Sequence, residues 1–228
     1  GKGSVCAYLD AMLRSEGKRT GLFISPHLVK MNERIMIDGV PVSDEVFSEV
    51  FTQTLGAVKQ MEAEGLEHPT FFEFLFGMGM LAFSQAEAEY VILETGLGGT
   101  YDSTNACGVP DVTVIAKIGF DHMAILGDTL AKIAAEKAGI IKHGTALVLE
   151  SQEKEAMDVL NKAAERADIK TTKVVNLDEI RILPQKDGKQ CFSYAGYDAV
   201  TMKMLGVHQY ENAVAAMLAA ELFFEKYF

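Results

Sequence analysis

The chain has 228 residues, 49% of them hydrophobic, with 32 acidic against 21 basic side chains and a formal net charge of -11. That length and apolar content suit one substantial core, a single domain with at most an added lobe, and exclude a disordered chain. The acidity argues against a nucleic-acid partner, whose phosphates need a basic face; a small polyphosphate remains compatible, held by a local lysine, helix amino ends and a divalent cation.

No apolar run approaches the roughly 20 residues of a membrane span, and no basic-then-apolar leader precedes the first helix. The expectation is a cytoplasmic chain without a membrane partner. Cys6, Cys107 and Cys191 are far apart in sequence and match no metal spacing, which fits reduced thiols.

The chain opens GKGSVCAYLDAMLRSEG, with no initiator methionine and no strand before the glycines, so an upstream piece is expected. From Ser4 to Glu16 the apolar residues Val5, Tyr8, Leu9, Met12 and Leu13 recur at helical spacing, and Gly17 fits the position just past a helix end. Thr20 to Ile24 reads as a strand. A glycine-lysine loop opening such a helix is the second half of a phosphate-binding unit: Lys2 would meet the β- and γ-phosphates, backbone N–H groups would cradle them, and Ser4 would reach a magnesium ion. The usual pattern has Ser or Thr directly after the lysine, whereas Gly3 intervenes here, so by itself the motif is equally a glycine-rich helix start.

SPHLVKMNERIMIDGVPVS then forms a turn-rich excursion, with Ile35 to Ile37 and Val40 to Val42 predicted as a hairpin around Asp38-Gly39. His27 in this stretch reads most simply as a surface loop histidine. Ser43 caps a long helix from Asp44 to about Glu64. Thr70-Phe71-Phe72-Glu73 is a capping box opening a helix through Ala86, whose aromatics are core by spacing; Phe72 as a stacking platform is the alternative.

The central stretch, YVILETGLGGTYDSTN from Tyr90 to Asn105, carries a buried strand that delivers Glu94 at its carboxyl end, where open α/β sheets bind ligands. Gly96, Gly98 and Gly99 are read as letting the backbone approach a ligand, followed by Asp102, Thr104 and Asn105 as hydrogen-bonding side chains. Val112 to Ile115 is a second buried strand, with Asp121 and His122 just beyond it. Thr129 to Ala138 is a helix closed by Gly139. Lys137 in its last turn is either partly buried or an exposed lysine favoured by the helix dipole.

A strand (Ala146 to Leu149), a helix (Lys154 to Arg166) and a strand (Lys173 to Val175) follow. Residues 177–204 are β-like, and a long helix from about Tyr210 ends the sequence. A three-layer α/β fold with a mainly parallel sheet and a small β-rich excursion is the expectation.

Taken in order, GKGS, SPHL with ERI, TFFEF, ETGLGG with DSTN, DH with LGDTLAKIAAEKAGI, and GVHQYENAVAA resemble the folylpolyglutamate synthase / dihydrofolate synthase family, within the Mur-type ATP-dependent amide ligases. The resemblance spans Gly1 to about Ala216. It implies ATP-dependent joining of L-glutamate to the carboxylate of a folate or dihydropteroate through an acyl phosphate, with release of ADP and phosphate. Carried over, Gly1, Lys2, Gly3 and Ser4 form the phosphate loop; Ser4, Glu94 and His122 hold Mg2+, with Asp121 as a chemical substitute for His122; and Asn212 contacts adenine. Lys137 matches a lysine that is carbamylated into an anion. Lys2, His122 and Lys137 are the implied catalytic residues. Ser25, Pro26 and His27 would lie against the folate, with Phe72 stacking on the pterin and Asp102 accepting from it.

The chain departs from the family pattern at Thr100, where an arginine is frequent, and at Phe120, where leucine is commoner. The same resemblance leads us to expect that residues 1–228 form one ATP-binding domain truncated at its start. A glutamate-binding domain would lie outside it, the chain would be monomeric, and it would have no turnover by itself. Rival readings are a ligase acting on a cell-wall UDP-muramyl precursor, a phosphate-loop kinase, and a nucleotide-binding module without turnover.

Overall fold

The computed structural model describes residues 1–120 and 127–227. The chain divides into two compact units: Leu9–Leu97 with Tyr101–Ala106, and Gly1–Tyr8 with Gly98–Thr100 and Cys107–Phe228. Helix α1 (Lys2–Ser15) opens the chain and ends, as expected, before Gly17 at φ 71, a left-handed value that glycine adopts at no steric cost.

In the unit built on Leu9–Leu97, strands β1 (Thr20–Phe23), β2 (Ile35–Ile37), β3 (Val40–Pro41) and β4 (Tyr90–Leu93) form one sheet in the order β3-β2-β1-β4. β1 and β4 run parallel, with Leu22 opposite Ile92, so both strands end at the same edge. The β2–β3 hairpin turns at Asp38 (φ 49) and Gly39 (φ 76), the paired positive values of a type I′ turn, as Asp-Gly predicts. Helix α2 (Asp44–Ala63) starts at Ser43, whose side chain accepts from the Val46 N–H, and α3 (Phe71–Gln85) starts at the Thr70–Glu73 capping box. The core is Leu22, Phe23, Ile35, Val50, Met78 and Phe83, all at most 3% exposed. Gly21 is required there: a Cβ would lie 2.6 Å from the Phe83 ring.

The other unit carries a parallel sheet in the order β5-β6-β7 and an antiparallel one in the order β10-β9-β8. The strands are β5 (Val112–Ile115), β6 (Ala146–Leu149), β7 (Thr172–Val174), β8 (Arg181–Lys186), β9 (Lys189–Tyr194) and β10 (Tyr197–Met202). Helices α4 (Leu130–Ala138) and α5 (Lys154–Arg166) pack on each other, and α6 (His208–Tyr227) packs on β5 and β6. Leu147, Val148 and Leu149 are fully buried, as the all-apolar run predicts for a parallel strand. The β-like reading of residues 177–204 resolves into the three-stranded antiparallel sheet. Among the described residues no helix is long and apolar enough to cross a membrane.

Candidate functional site

The parallel strands β1 and β4 bring the starts of two loops together at their common carboxyl edge. Glu94 directly follows β4 and extends the ladder by donating its N–H to the Phe23 carbonyl at 2.9 Å. Its side chain is only 6% exposed, and Oε2 accepts the backbone N–H of Ser25 at 3.0 Å. The acid expected at a metal and the first residue of the expected substrate loop are therefore in direct contact.

That loop is organised by its own acid and base. The Glu33 carboxylate accepts three successive backbone N–H groups, Leu28 at 2.7 Å, Val29 at 3.1 Å and Lys30 at 2.9 Å. These bonds, led by that of Lys30, hold its carboxyl below the ordinary carboxylate range. Arg34 is buried and donates from Nε to His27 Nδ1 at 2.8 Å, so the ring accepts at Nδ1 and a neutral His27 carries its proton on Nε2. Burial also lowers the Arg34 pKa, and the guanidinium sits 5.8 Å from the Phe71 ring centre. Leu28 and Val29 remain 91% and 84% exposed beside the polar frame. His27 is thus a fixed member of a built loop and not merely a surface histidine.

Phe72, half-buried, stands edge-on to Phe23 with ring centres 5.7 Å apart. The Gly96 backbone lies against it: a Cβ on Gly96 would come 2.8 Å from the Phe72 ring and 3.1 Å from Asp102 Oδ2. Asp102 Oδ1 accepts both the N–H and the hydroxyl of Thr104, at 3.0 and 2.6 Å, while Oδ2 accepts the Leu97 N–H at 2.9 Å. Of roughly four lone-pair sites on a carboxylate, three are already used by the protein. Asp102 is first a loop clasp.

Gly96 and Gly99 both lie close against protein: Gly96 meets Phe72, and a Cβ on Gly99 would lie 2.6 Å from the Glu136 carbonyl oxygen and 2.9 Å from that of Lys137. Thr100 donates both its N–H and its hydroxyl to the Glu136 carbonyl, at 3.1 and 3.3 Å. Gly98–Thr100 therefore lies on the last turn of α4, where Lys137 is half-buried. Thr100, which lacks the charge of the family's frequent arginine, gives its polar groups to that helix end, adding to the bond that the Glu136 carbonyl already accepts from the Gly139 N–H at 3.2 Å.

At the chain's start, α1 begins at Lys2, and the Gly1 carbonyl accepts from Ser4 and Val5 N–H at 3.0 and 3.2 Å. Lys2 is exposed. Ser4 Oγ accepts from Gln209 Nε2 at 3.2 Å, and Gln209 Oε1 accepts from Asn212 Nδ2 at 3.0 Å. Gln209 and Asn212, in the first turns of α6, are 7% and 2% exposed. Asp121 and His122 lie outside the described residues. Serine hydroxyl and glutamate carboxylate are hard oxygen donors of the kind Mg2+ prefers, so Ser4 and Glu94 fit that ion chemically. Among the described residues no cluster of three or more His, Cys, Asp or Glu could hold a metal.

Three features escaped the sequence reading: the Arg34–His27 pair, the Gln209 bridge and Glu150. Glu150 follows the fully apolar β6 and is 2% exposed; Oε2 accepts the Lys117 N–H at 2.7 Å, and Oε1 has no hydrogen-bond partner among the described residues. Burial raises its pKa, with the Lys117 N–H opposing and nearby Glu211 reinforcing the shift. A lone acid ending an apolar strand was the available signal.

Residues 45–220 match the family model of the Mur ligase middle domain. A folylpolyglutamate synthase of Arabidopsis thaliana is 39% identical over 226 residues, covering 99% of this chain and 37% of the relative. A dihydrofolate synthase/folylpolyglutamate synthase of Bacillus subtilis is 37% identical over 230 residues, covering 97% and 52%. A solved FPGS-AMPPCP-folate complex superposes with a TM-score of 0.92 at 26% identity, covering 99% of this chain and 56% of that one. The chain spans about half the length, or less, of the relatives it matches.

Proposed function

We propose that this chain, which belongs to the Mur ligase middle-domain family and within it to the folylpolyglutamate synthase / dihydrofolate synthase family, forms the ATP-binding part of a folate-glutamate ligase. Such an enzyme joins L-glutamate to a folate or dihydropteroate carboxylate. The single observation that carries the reading is the contact of Glu94 Oε2 with the Ser25 N–H, which ties a buried acid at a strand's carboxyl end to the start of the substrate loop.

In this reading the phosphate loop, Gly1 to Ser4, binds ATP through Lys2 and backbone N–H groups, and Asn212 contacts adenine. The substrate carboxylate attacks the γ-phosphorus in line, the bond to ADP breaks, and an acyl phosphate forms; the glutamate amine then displaces phosphate and loses a proton as the amide forms. Lys2 lowers the repulsion between two anions brought together. Mg2+, held by Ser4, Glu94 and His122, would neutralise charge on the phosphates. Lys137, half-buried at the end of α4, is the proposed carbamylation position. Ser25, Pro26, His27 and Phe72 present the folate, and Asp102 offers its remaining lone pair to the pterin. The glutamate site and any second domain are read as lying outside these 228 residues, consistent with the share of each relative that the chain covers.

The test is ADP release by the intact protein from ATP and Mg2+, with and without dihydropteroate or folate and with and without glutamate. Release that requires both substrates and is abolished by Glu94→Ala supports the reading. Release indifferent to the folate or to glutamate overturns it.

A further inference from the structure

The first turns of α1 and α6 are joined through one side chain. Gln209 Nε2 donates to Ser4 Oγ at 3.2 Å, while its Oε1 accepts from Asn212 Nδ2 at 3.0 Å and from the Tyr8 hydroxyl at 3.5 Å. In this arrangement Oε1 faces the Asn212 amide and the Tyr8 hydroxyl, and Nε2 is the group that meets Ser4. Gln209 is 7% exposed, so this amide is a buried part of the structure.

A serine hydroxyl has one proton and two lone pairs. The Gln209 N–H occupies one lone pair and leaves the second to a cation. Without that donor, a serine in a first helical turn turns its proton onto a nearby backbone carbonyl, here that of Gly1, and its oxygen swings with it. We infer that Gln209 is a positioning residue for the Ser4 hydroxyl, holding it so that one lone pair stays available to the divalent cation that accompanies the nucleotide. The inference rests on the reading of Ser4 as a Mg2+ ligand given above.

The experiment measures AMPPCP affinity of the intact protein by titration calorimetry, in saturating Mg2+ and in EDTA, for wild type, Gln209→Met, Ser4→Ala and the double variant, with melting curves for each. Gln209→Met keeps the side chain's length without its Nε2 donor or its Oε1 acceptor; Gln209→Asn, which withdraws the amide by one methylene, replaces it if the first variant fails to fold. The expected result for Gln209→Met is a loss specific to Mg2+: binding in Mg2+ weakens about tenfold more than binding in EDTA does, the usual scale for loss of a group that orients a metal ligand. In the Ser4→Ala background the same change should add nothing, because the two residues act as one unit.

Equal weakening with and without Mg2+ makes Gln209 a structural or adenine-side residue and overturns the inference while leaving the functional reading intact. The same holds if Gln209→Met weakens Mg2+-dependent binding further in the Ser4→Ala background. If Ser4→Ala itself leaves Mg2+-dependent binding unchanged, the assignment of Ser4 fails, and this inference falls with it.

Discussion

Asp102 holds Leu97 across the turn that follows β4: its Oδ2 accepts the Leu97 N–H at 2.9 Å, while Oδ1 takes two bonds from Thr104. A residue that the family resemblance makes a pterin acceptor is thereby also the fastener of the loop that would present it. Asp102→Ala is expected to cost stability, about 1–3 kcal/mol for leaving such donors without their acceptor, and to weaken folate binding. Asp102→Asn, which keeps the Thr104 acceptor but cannot accept from Leu97 with its amide nitrogen, should fall between. Chemical denaturation alongside folate titration checks this; unchanged stability with lost folate affinity would reduce Asp102 to a ligand contact alone.

Gly99 faces backbone atoms that cannot move aside as a side-chain tip can. Gly99→Ala should destabilise by about 1–3 kcal/mol, the range for overpacking a fitted contact. Gly108→Ala, where a Cβ meets nothing within 4 Å, should stay within about 0.5 kcal/mol. Urea unfolding of the two variants decides whether the glycine run is a packing surface.

Glu150 supplies a pH dependence with a definite sign. Its folded-state pKa is raised, chiefly by burial, so folding favours the protonated form. The penalty is absent below the unfolded value near 4.5, grows as pH rises from there toward the raised folded value, and is complete above it. Glu150→Gln should therefore raise the melting temperature more at about pH 8 than at about pH 4.5. An increment independent of pH would show that folding does not raise this carboxyl's pKa.

Arg34 fixes which nitrogen of His27 is protonated. In the wild type, nitrogen NMR at a pH where the ring is neutral should show the Nε2–H tautomer. Arg34→Met removes the Nε donor and should give a tautomer mixture, and Arg34→Lys should not restore it, because an ammonium lacks the planar fork that reaches Nδ1. A spectrum unchanged in Arg34→Met would show that His27 is held by something else.

Local chemistry made much of the fold legible. Thr70 and Glu73 announce a capping box, Asp38-Gly39 announces a type I′ turn, and the apolar run from Ala146 to Leu149 announces a strand buried on both faces, each because a few neighbouring residues decide the conformation. Lys2, Ser4, Glu94 and Asp102 could be picked out as chemistry-bearing for the same reason, each at a strand end, a helix start or a glycine-rich turn, whereas Phe72 as a pterin platform and Asn212 as an adenine contact came from the family resemblance.

What surrounds those residues was decided only in three dimensions. Gly96 and Gly99 look alike in the sequence, yet one meets the Phe72 ring and the other the backbone of Glu136 and Lys137. Glu94 and Ser25 are 69 residues apart and touch because β1 and β4 are parallel; Ser4 and Gln209 are 205 apart and touch because the starts of α1 and α6 meet. The sequence by itself determined the elements, their caps and the candidate chemical groups, since these depend on backbone preferences over a few residues. Tertiary structure alone decided which lone pairs the protein already uses and which remain for a ligand, because hydrogen bonds between distant residues have no local signature.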